Sequence, residues 1–356
     1  MSTSNTGGRG IMGCKSLSVP GNLLLVGEFA VLEPGGIGFA VAPDIRTTAT
    51  VEPFDKLEVE GRFGGKIVRW SPGSPETHPL FSEIYTRCDS LAAFRSLSSY
   101  PARITIDSSP FYSKEGKKLG FGSSAAASTA LAAALLGLLG YTRDRIEEES
   151  LRIALSSHRA VQNGAGSGYD IFTSVHGAAG IFTGGDVPSW EAVHLPWLPD
   201  IYLFAGTGPV STGSAAVRYN KWKKLYPDKA QRFKEESNRS ILGFLGAGSW
   251  EEARPHFLRS REIGLELGEN IGVSASIVPP TAPAPFSTGS SGAGLSAIAP
   301  DVPYKAIGAG NELGVLLAEQ GNDDGPVNGS DARLSPNGPF RKVSIAEEGL
   351  TWKQTE

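Results

Sequence analysis

Cysteine is nearly missing from this sequence. Two residues, Cys14 and Cys88, in a chain of 356 can build neither a disulfide framework nor a thiolate zinc cluster. The five histidines, at 78, 158, 176, 194 and 256, fall at no metal-ligand spacing. Positive charge is not in excess. The net charge is −4, which speaks against a general nucleic-acid-binding surface. A Gly-x4-Gly-Lys-Ser/Thr run is absent, and so is a clean Gly-x-Gly-x-x-Gly, which removes the ordinary P-loop and dinucleotide fingerprints. Residues 1–13 are rich in Ser, Gly and Thr without an apolar stretch, and are expected to form a loose tail rather than a secretory signal. One uncharged stretch, residues 119–142, is long enough to span a bilayer. It opens on Gly-Phe-Gly-Ser-Ser, however, and is strongly apolar only over 130–139. A buried helix with a glycine-rich entry is expected there, and no membrane partner.

What is present is a globular composition, 40% apolar and 20% charged, with 45 Gly and 24 Pro marking many tight turns. The length suggests about two domains. Residues 17–26 read as strand, Pro-Gly turn, strand, and 37–42, 47–51, 66–70 and 103–106 as further strands. Residues 124–139 form an Ala/Leu helix. A second helix covers 145–163, with Ile146, Leu151, Ala154, Leu155 and Val161 approximating one face and Gly164 placed to stop it. Residues 170–176 read as a short third helix, and 181–183 as a strand. Prolines at 196 and 199 suggest a boundary. The expected division is a tail over 1–15, a first domain over 16–196 and a second over 197–356. Beyond the boundary, 200–204 read as a strand, 229–246 and 251–267 as an amphipathic helix pair, and 277–294 as a Pro/Ser/Gly-rich loop. Strands at 313–318 and 341–345 flank a polar loop. Strands and helices without regular alternation argue for an α+β fold.

The informative element is Lys117-Lys118-Leu119-Gly120-Phe121-Gly122-Ser123-Ser124-Ala125-Ala126. Its glycines let a backbone fold closely around an anion, and its serines sit at a helix start, where free N–H groups and the dipole favour phosphate. A Gly-Ser loop that merely caps a core helix is equally compatible with the spacing.

This segment resembles the ATP-binding loop of the GHMP kinases, roughly Gly-Leu-Gly-Ser-Ser-Ala, with Phe121 in place of Leu. Pro20-Gly21-Asn22-Leu23-Leu24-Leu25-Val26-Gly27-Glu28-Phe29-Ala30-Val31-Leu32-Glu33-Pro34-Gly35 is similar to that family's first motif, in the form used by phosphomevalonate kinases. Gly166-Ser167-Gly168-Tyr169-Asp170 resembles its Ser-Gly-x-Asp segment. Lys305-Ala306-Ile307-Gly308-Ala309-Gly310-Asn311-Glu312-Leu313-Gly314 resembles its C-terminal glycine motif, altered after the third residue. Four motifs in family order span about five-sixths of the chain.

The resemblance implies a two-lobed fold, with a ribosomal-protein-S5-like N-terminal lobe, a ferredoxin-like C-terminal lobe and the active site between them. It implies a cytoplasmic enzyme that uses ATP and Mg2+ to phosphorylate a small molecule. Nucleotide contacts then fall on Lys118, Gly120, Phe121, Gly122, Ser123, Ser124 and Ala125, with Ser124 also holding the metal. Asp170 would orient or deprotonate the acceptor; read by itself, an aspartate in a helix's first turn is a dipole partner or cap. Acceptor contacts are implied for Glu28, Ser167, Gly168, Gly308, Ala309, Gly310 and Asn311. Ser211, in a Gly-Thr-Gly-Pro-Val-Ser-Thr stretch, is either a further one or part of an ordinary turn.

Two departures bear on the acceptor. Where mevalonate and phosphomevalonate kinases carry a Lys paired with the aspartate, this chain has Asn22, and an amide cannot lower a carboxyl pKa by charge. Where mevalonate kinases place a magnesium-binding Glu eleven residues before the aspartate, this chain has Arg159, beside His158. An alcohol acceptor calls for a base. A phosphate monoester, with a second pKa of about 6, is already ionised and calls instead for cations. Arg159, Arg218 and Lys305 are candidates for that role, as well as for solvated surface charges. The expected reaction is therefore ATP plus 5-phosphomevalonate giving 5-diphosphomevalonate. Mevalonate kinase and a non-catalytic nucleotide and ligand binder are the alternatives. A homodimer is left open.

Overall fold

The computed structural model describes residues 16–75, 78–92, 96–162, 164, 166–206, 212–277, 279–280, 302–308, 310, 312–319 and 340–353. The expected tail over 1–15, most of the 277–294 loop and the polar loop after residue 319 lie outside them, as do Ser211, Ala309 and Asn311.

In chain order, the strand–turn–strand over 17–26 is β1 (Ser16–Pro20) and β2 (Leu23–Val26). Next come β3 (Ile37–Val41), β4 (Arg46–Pro53), β5 (Glu58–Phe63) and β6 (Lys66–Trp70), then α1 (Pro79–Asp89) and β7 (Ala102–Asp107). β5 and α1 were not expected. Three helices follow: α2 (Ser123–Leu138), α3 (Arg143–Val161) and α4 (Tyr169–His176), each starting one or two residues before the expected bound. The remaining elements are β8 (Ala179–Thr183), β9 (Ser189–Ala192), β10 (Asp200–Ala205), α5 (Thr212–Leu225), α6 (Pro227–Leu245), α7 (Trp250–Ile271), β11 (Tyr304–Ile307), β12 (Leu313–Ala318), β13 (Phe340–Val343) and β14 (Thr351–Lys353). The architecture is α+β, as the sequence pattern argued.

The chain divides into two compact units. One comprises Met1–Leu23, Val41–Ala178 and Ile345–Glu356, the other Leu24–Ala40 and Ala179–Ser344. The first contains a six-stranded sheet in the order β14-β1-β4-β7-β5-β6, in which only the β5–β7 pairing is parallel. α2 packs on β1, β4 and β7, and is in turn covered by α1, α3 and α4. That position explains its sequence: a helix buried on nearly every side carries no charge and is apolar all round. Among the described residues no helix is long and apolar enough to cross a membrane. α3 shows the opposite pattern, burying Ile146, Ser150, Ile153, Ala154, Ser157 and His158 at helical spacing while its other face stays charged.

The second unit holds two four-stranded sheets, β2-β3-β8-β9 and β11-β12-β10-β13. α6 and α7 pack against each other. α6 starts on Pro227, pre-set for a first helical turn, and α7 is capped by Ser249, whose hydroxyl accepts from Glu252 N, and stopped by left-handed Gly272. Tyr219 and Trp222 of α5 anchor an apolar cluster with Leu267 and Ile271 of α7, against which Phe29 and Leu32 pack.

Candidate active site

In the first unit, the glycine loop is held in place before α2 begins. A short hairpin pairs Tyr112 with Lys118, and Leu119 N donates to Phe111 O at 2.9 Å. Lys117 and Lys118 are exposed on this hairpin. Phe121 turns inward and is buried, and its carbonyl accepts from Asn22 N at 2.9 Å. Gly120 and Gly122 both adopt positive φ, +83° and +76°. Gly122 is the N-cap of α2 and no side chain caps that helix. The first-turn amides around Ser123, Ser124 and Ala125 therefore lack the side-chain acceptor that usually satisfies them.

Asn22 explains why position 122 is glycine. Its side chain is 3% exposed, and Nδ2 donates to Gly122 O at 3.3 Å and to Ser174 Oγ of α4 at 3.0 Å. A Cβ on Gly122 would fall 2.2 Å from that amide. Asn22 thus ties the loop to α4 through a buried amide that bonds Gly122 and Ser174 rather than Asp170. Gly168, at φ +98°, is the N-cap of α4, whose first turn carries Asp170. Asp170 Oδ1 accepts from Ile171 N at 3.0 Å. Ser167 Oγ accepts from Tyr169 N at 3.4 Å.

The last turn of α3 faces both helix starts. His158 Nε2 lies 3.0 Å from Ser124 Oγ, and His158 Nδ1 lies 3.2 Å from Gln162 Nε2 and 3.5 Å from Asp170 Oδ2. Arg159 Nη2 donates to Ser167 O at 2.9 Å and Nε to Gly166 O at 3.3 Å. Its guanidinium ties down the approach to α4. The side chain placed between Ser124 and Asp170 is thus His158, one residue before the position that family spacing singles out. His158, Gln162 and Ser174 escaped sequence reasoning. The available signal was His158 and Gln162 at i and i+4 just before a Gly-rich helix entry. Among the described residues no group of three or more His, Cys, Asp or Glu gathers to hold a metal.

The second unit contains a separate cluster. Glu28 follows β2, and Lys305, on β11, is 3% exposed. The two form an ion pair, and Lys305 Nζ also donates to Leu25 O at 3.2 Å and Ala306 O at 3.0 Å. Burial pushes the Glu28 carboxyl up and the Lys305 ammonium down, each opposed by the partner's charge. The pair lines a pocket together with Phe29, Arg261, Gly264 and Gly268, and Gly308 and Gly310 are also at its wall. Phe29 itself is held at φ +63°, a conformation that non-glycine residues seldom adopt. Glu33, in the same motif, receives Lys223 of α5 at 2.7 Å. Arg218 is exposed, and Nη1 donates to Gly272 O.

Residues 88–178 match the family model described as GHMP kinases N terminal domain. No curated protein matches the sequence. Three solved structures of similar fold are the Lin0012 protein from Listeria innocua (18% identity, TM-score 0.71, covering 96% of this chain and 99% of that one), Streptococcus pneumoniae phosphomevalonate kinase in complex with phosphomevalonate and AMPPNP (16%, 0.65, 85% and 91%), and a D-glycero-D-manno-heptose 1-phosphate kinase from Bacteriodes thetaiotaomicron (14%, 0.58, 96% and 99%). At these identities the likeness is one of fold, and the fold is that of the GHMP kinases.

Proposed function

We propose that this protein is an ATP-dependent small-molecule kinase whose acceptor is a phosphate monoester, 5-phosphomevalonate first among the candidates. The observation that carries the reading is the uncapped start of α2, with left-handed Gly122, Ser123 and Ser124, set beside the start of α4 with Asp170. A backbone so arranged suits a polyphosphate: two positive-φ glycines bring the chain close, and the free amides and dipole attract anionic oxygens. The Ser124 hydroxyl is an oxygen donor suited to Mg2+, which supplies positive charge to the transferring phosphate when bound with nucleotide. The pneumococcal relative, solved with phosphomevalonate and AMPPNP, lends the nucleotide and the first acceptor to test.

Asp170 orients the acceptor in this reading. His158 Nδ1 lies 3.5 Å from its carboxylate, and Asn22, where a Lys is expected, spends its amide on Gly122 and Ser174. An acceptor that is already ionised needs no base, which leaves orientation as the task of Asp170. Lys305 is neutralised by Glu28, so we assign it to shaping the pocket of the second unit rather than to offering a free charge.

ADP release should be followed with phosphomevalonate, mevalonate, homoserine, galactose and a heptose 1-phosphate. We expect phosphomevalonate to lead in kcat/KM by at least about tenfold. Equal turnover of mevalonate would overturn the acceptor assignment, and nucleotide binding without turnover of any acceptor would make the protein a ligand sensor. The pH profile adds a second test. An ionised acceptor gives an acidic limb near its own pKa of about 6, present in wild type and in Asp170→Asn alike. Loss of the limb in the variant would make Asp170 the titrating base.

A further inference from the structure

His158 is buried at 7% exposure, yet the phosphate loop and Asp170 account for the proposed chemistry without it. Its two ring nitrogens meet different elements, Nε2 the first turn of α2 and Nδ1 the side chains of Gln162 and Asp170. We propose that His158 is a positioning residue for phosphoryl transfer, whose imidazole sets the direction of the Ser124 hydroxyl and keeps it in register with Asp170. This inference rests on the kinase reading above.

The imidazole meets three side chains at fixed distances. Nε2 lies 3.0 Å from Ser124 Oγ, and Nδ1 faces both the Gln162 amide at 3.2 Å and the Asp170 carboxylate at 3.5 Å. In either tautomer one hydrogen bond joins Nε2 to the serine, which accepts from an Nε2–H or donates to a bare Nε2, so the ring fixes the direction of the hydroxyl. In both cases at least one serine lone pair stays available to a counter-ion of the phosphate. Gln162 and Asp170 hold the other edge of the ring and so keep it turned toward Ser124. A hydroxyl turned correctly before the nucleotide arrives needs no reorganisation during reaction.

The aspartate is constrained from the same side. Asp170 Oδ1 accepts from Ile171 N, and Oδ2 is the oxygen 3.5 Å from the ring. Arg159, the next residue on α3, holds the carbonyls of Gly166 and Ser167 that lead into α4. One helical turn thus places a hydroxyl at one helix start and a carboxylate at the other.

The test compares His158→Gln, which can still present an N–H donor to Ser124, with His158→Leu, which fills the space without one. Manganese(II)·ADP is the probe, its binding read from the electron paramagnetic resonance of the free ion, alongside kcat and the acceptor KM. The expected result is at least tenfold weaker manganese·ADP binding in His158→Leu, a lower kcat with little change in acceptor KM, and recovery of most of both losses in His158→Gln. Gln162→Leu should fall between. Wild-type binding in both His158 variants would overturn the positioning role and leave the nucleotide reading standing. Failure of the wild type to bind manganese·ADP would remove the nucleotide reading and this inference with it. Should His158→Leu not fold, the Gln162→Leu variant decides, since wild-type binding there would show that holding the ring edge does not set the serine hydroxyl.

Discussion

An alanine at position 122 has no place for its methyl group. Gly122 sits at φ +76°, where an L-residue is strained by about 1 kcal/mol. The added carbon would also lie 2.2 Å from the buried amide of Asn22. Asn22 must swing away and give up its bonds to Gly122 O and Ser174 Oγ, and stranding buried polar groups costs about 1–3 kcal/mol. Gly122→Ala should therefore destabilise the unit that carries the loop by about 2–4 kcal/mol. Asn22→Ala alone should cost about 1–3 kcal/mol for the same lost bonds. It also vacates the space the alanine needs, so adding Gly122→Ala on that background should cost only the backbone strain of about 1 kcal/mol. Urea unfolding of the four proteins, read in the transition of the loop-bearing unit, gives the cycle. Nucleotide calorimetry on the same set reports loop geometry, with at least tenfold weaker binding expected in Gly122→Ala. If the two substitutions add to within about 0.5 kcal/mol, the collision with Asn22 does not decide this position.

Other expectations concern the frame around the site. Lys305→Met leaves Glu28 buried beside an apolar group and should cost about 3–5 kcal/mol, whereas the double variant with Glu28→Gln should recover most of it; equal losses in urea unfolding would show the pair to be solvated. Arg46 ties the end of the chain to β1 and β4, donating to Ser18 Oγ at 3.0 Å, Glu348 O at 3.1 Å and Thr351 Oγ1 at 3.1 Å as well as to Gly349 O. Arg46→Ala should lower stability by about 2–3 kcal/mol and strip hydrogen-exchange protection from β14, with Arg46→Lys recovering little because one ammonium cannot reach every acceptor. His78 caps α1, its Nδ1 accepting from Phe81 N at 3.3 Å, and burial holds its pKa below the ordinary value. The unfolded chain then binds the proton more readily, so this contribution is present above pH about 6.5 and lost as pH falls through the depressed folded pKa. Melting temperature should drop on acidification in wild type, and less steeply in His78→Ser, which keeps a cap that does not titrate.

Local patterning determined a good deal of this protein. Pro20-Gly21 between two apolar runs places β1 and β2, and the uncharged run after Gly122 makes a buried helix. Of the face expected on α3, Ile146 and Ala154 are buried, while Val161 is exposed and Ile153 takes its share of the inner face. These are properties of a few consecutive residues, and the glycine loop belongs with them because glycine conformation and a helix start are local. β5 escaped for the converse reason. Glu58 and Glu60 alternate with Val59 and Gly61 and read as polar, yet both glutamates are buried, since Arg103 neutralises Glu58 and Arg62 and Arg69 converge on Glu60. α5 also escaped, because its buried Ala215, Tyr219 and Trp222 stand among lysines and its apolar face is narrow. The site's working contacts were beyond any local pattern. Asn22 meets Gly122 across 100 residues, Ser124 meets His158 across 34 and Glu28 meets Lys305 across 277. A side chain's type sets what bonds it can make, but which partner it meets depends on how distant helices and strands pack. Tertiary structure therefore made Asn22 a buried tie rather than a partner of Asp170, and put His158 beside Ser124 where family spacing pointed to Arg159.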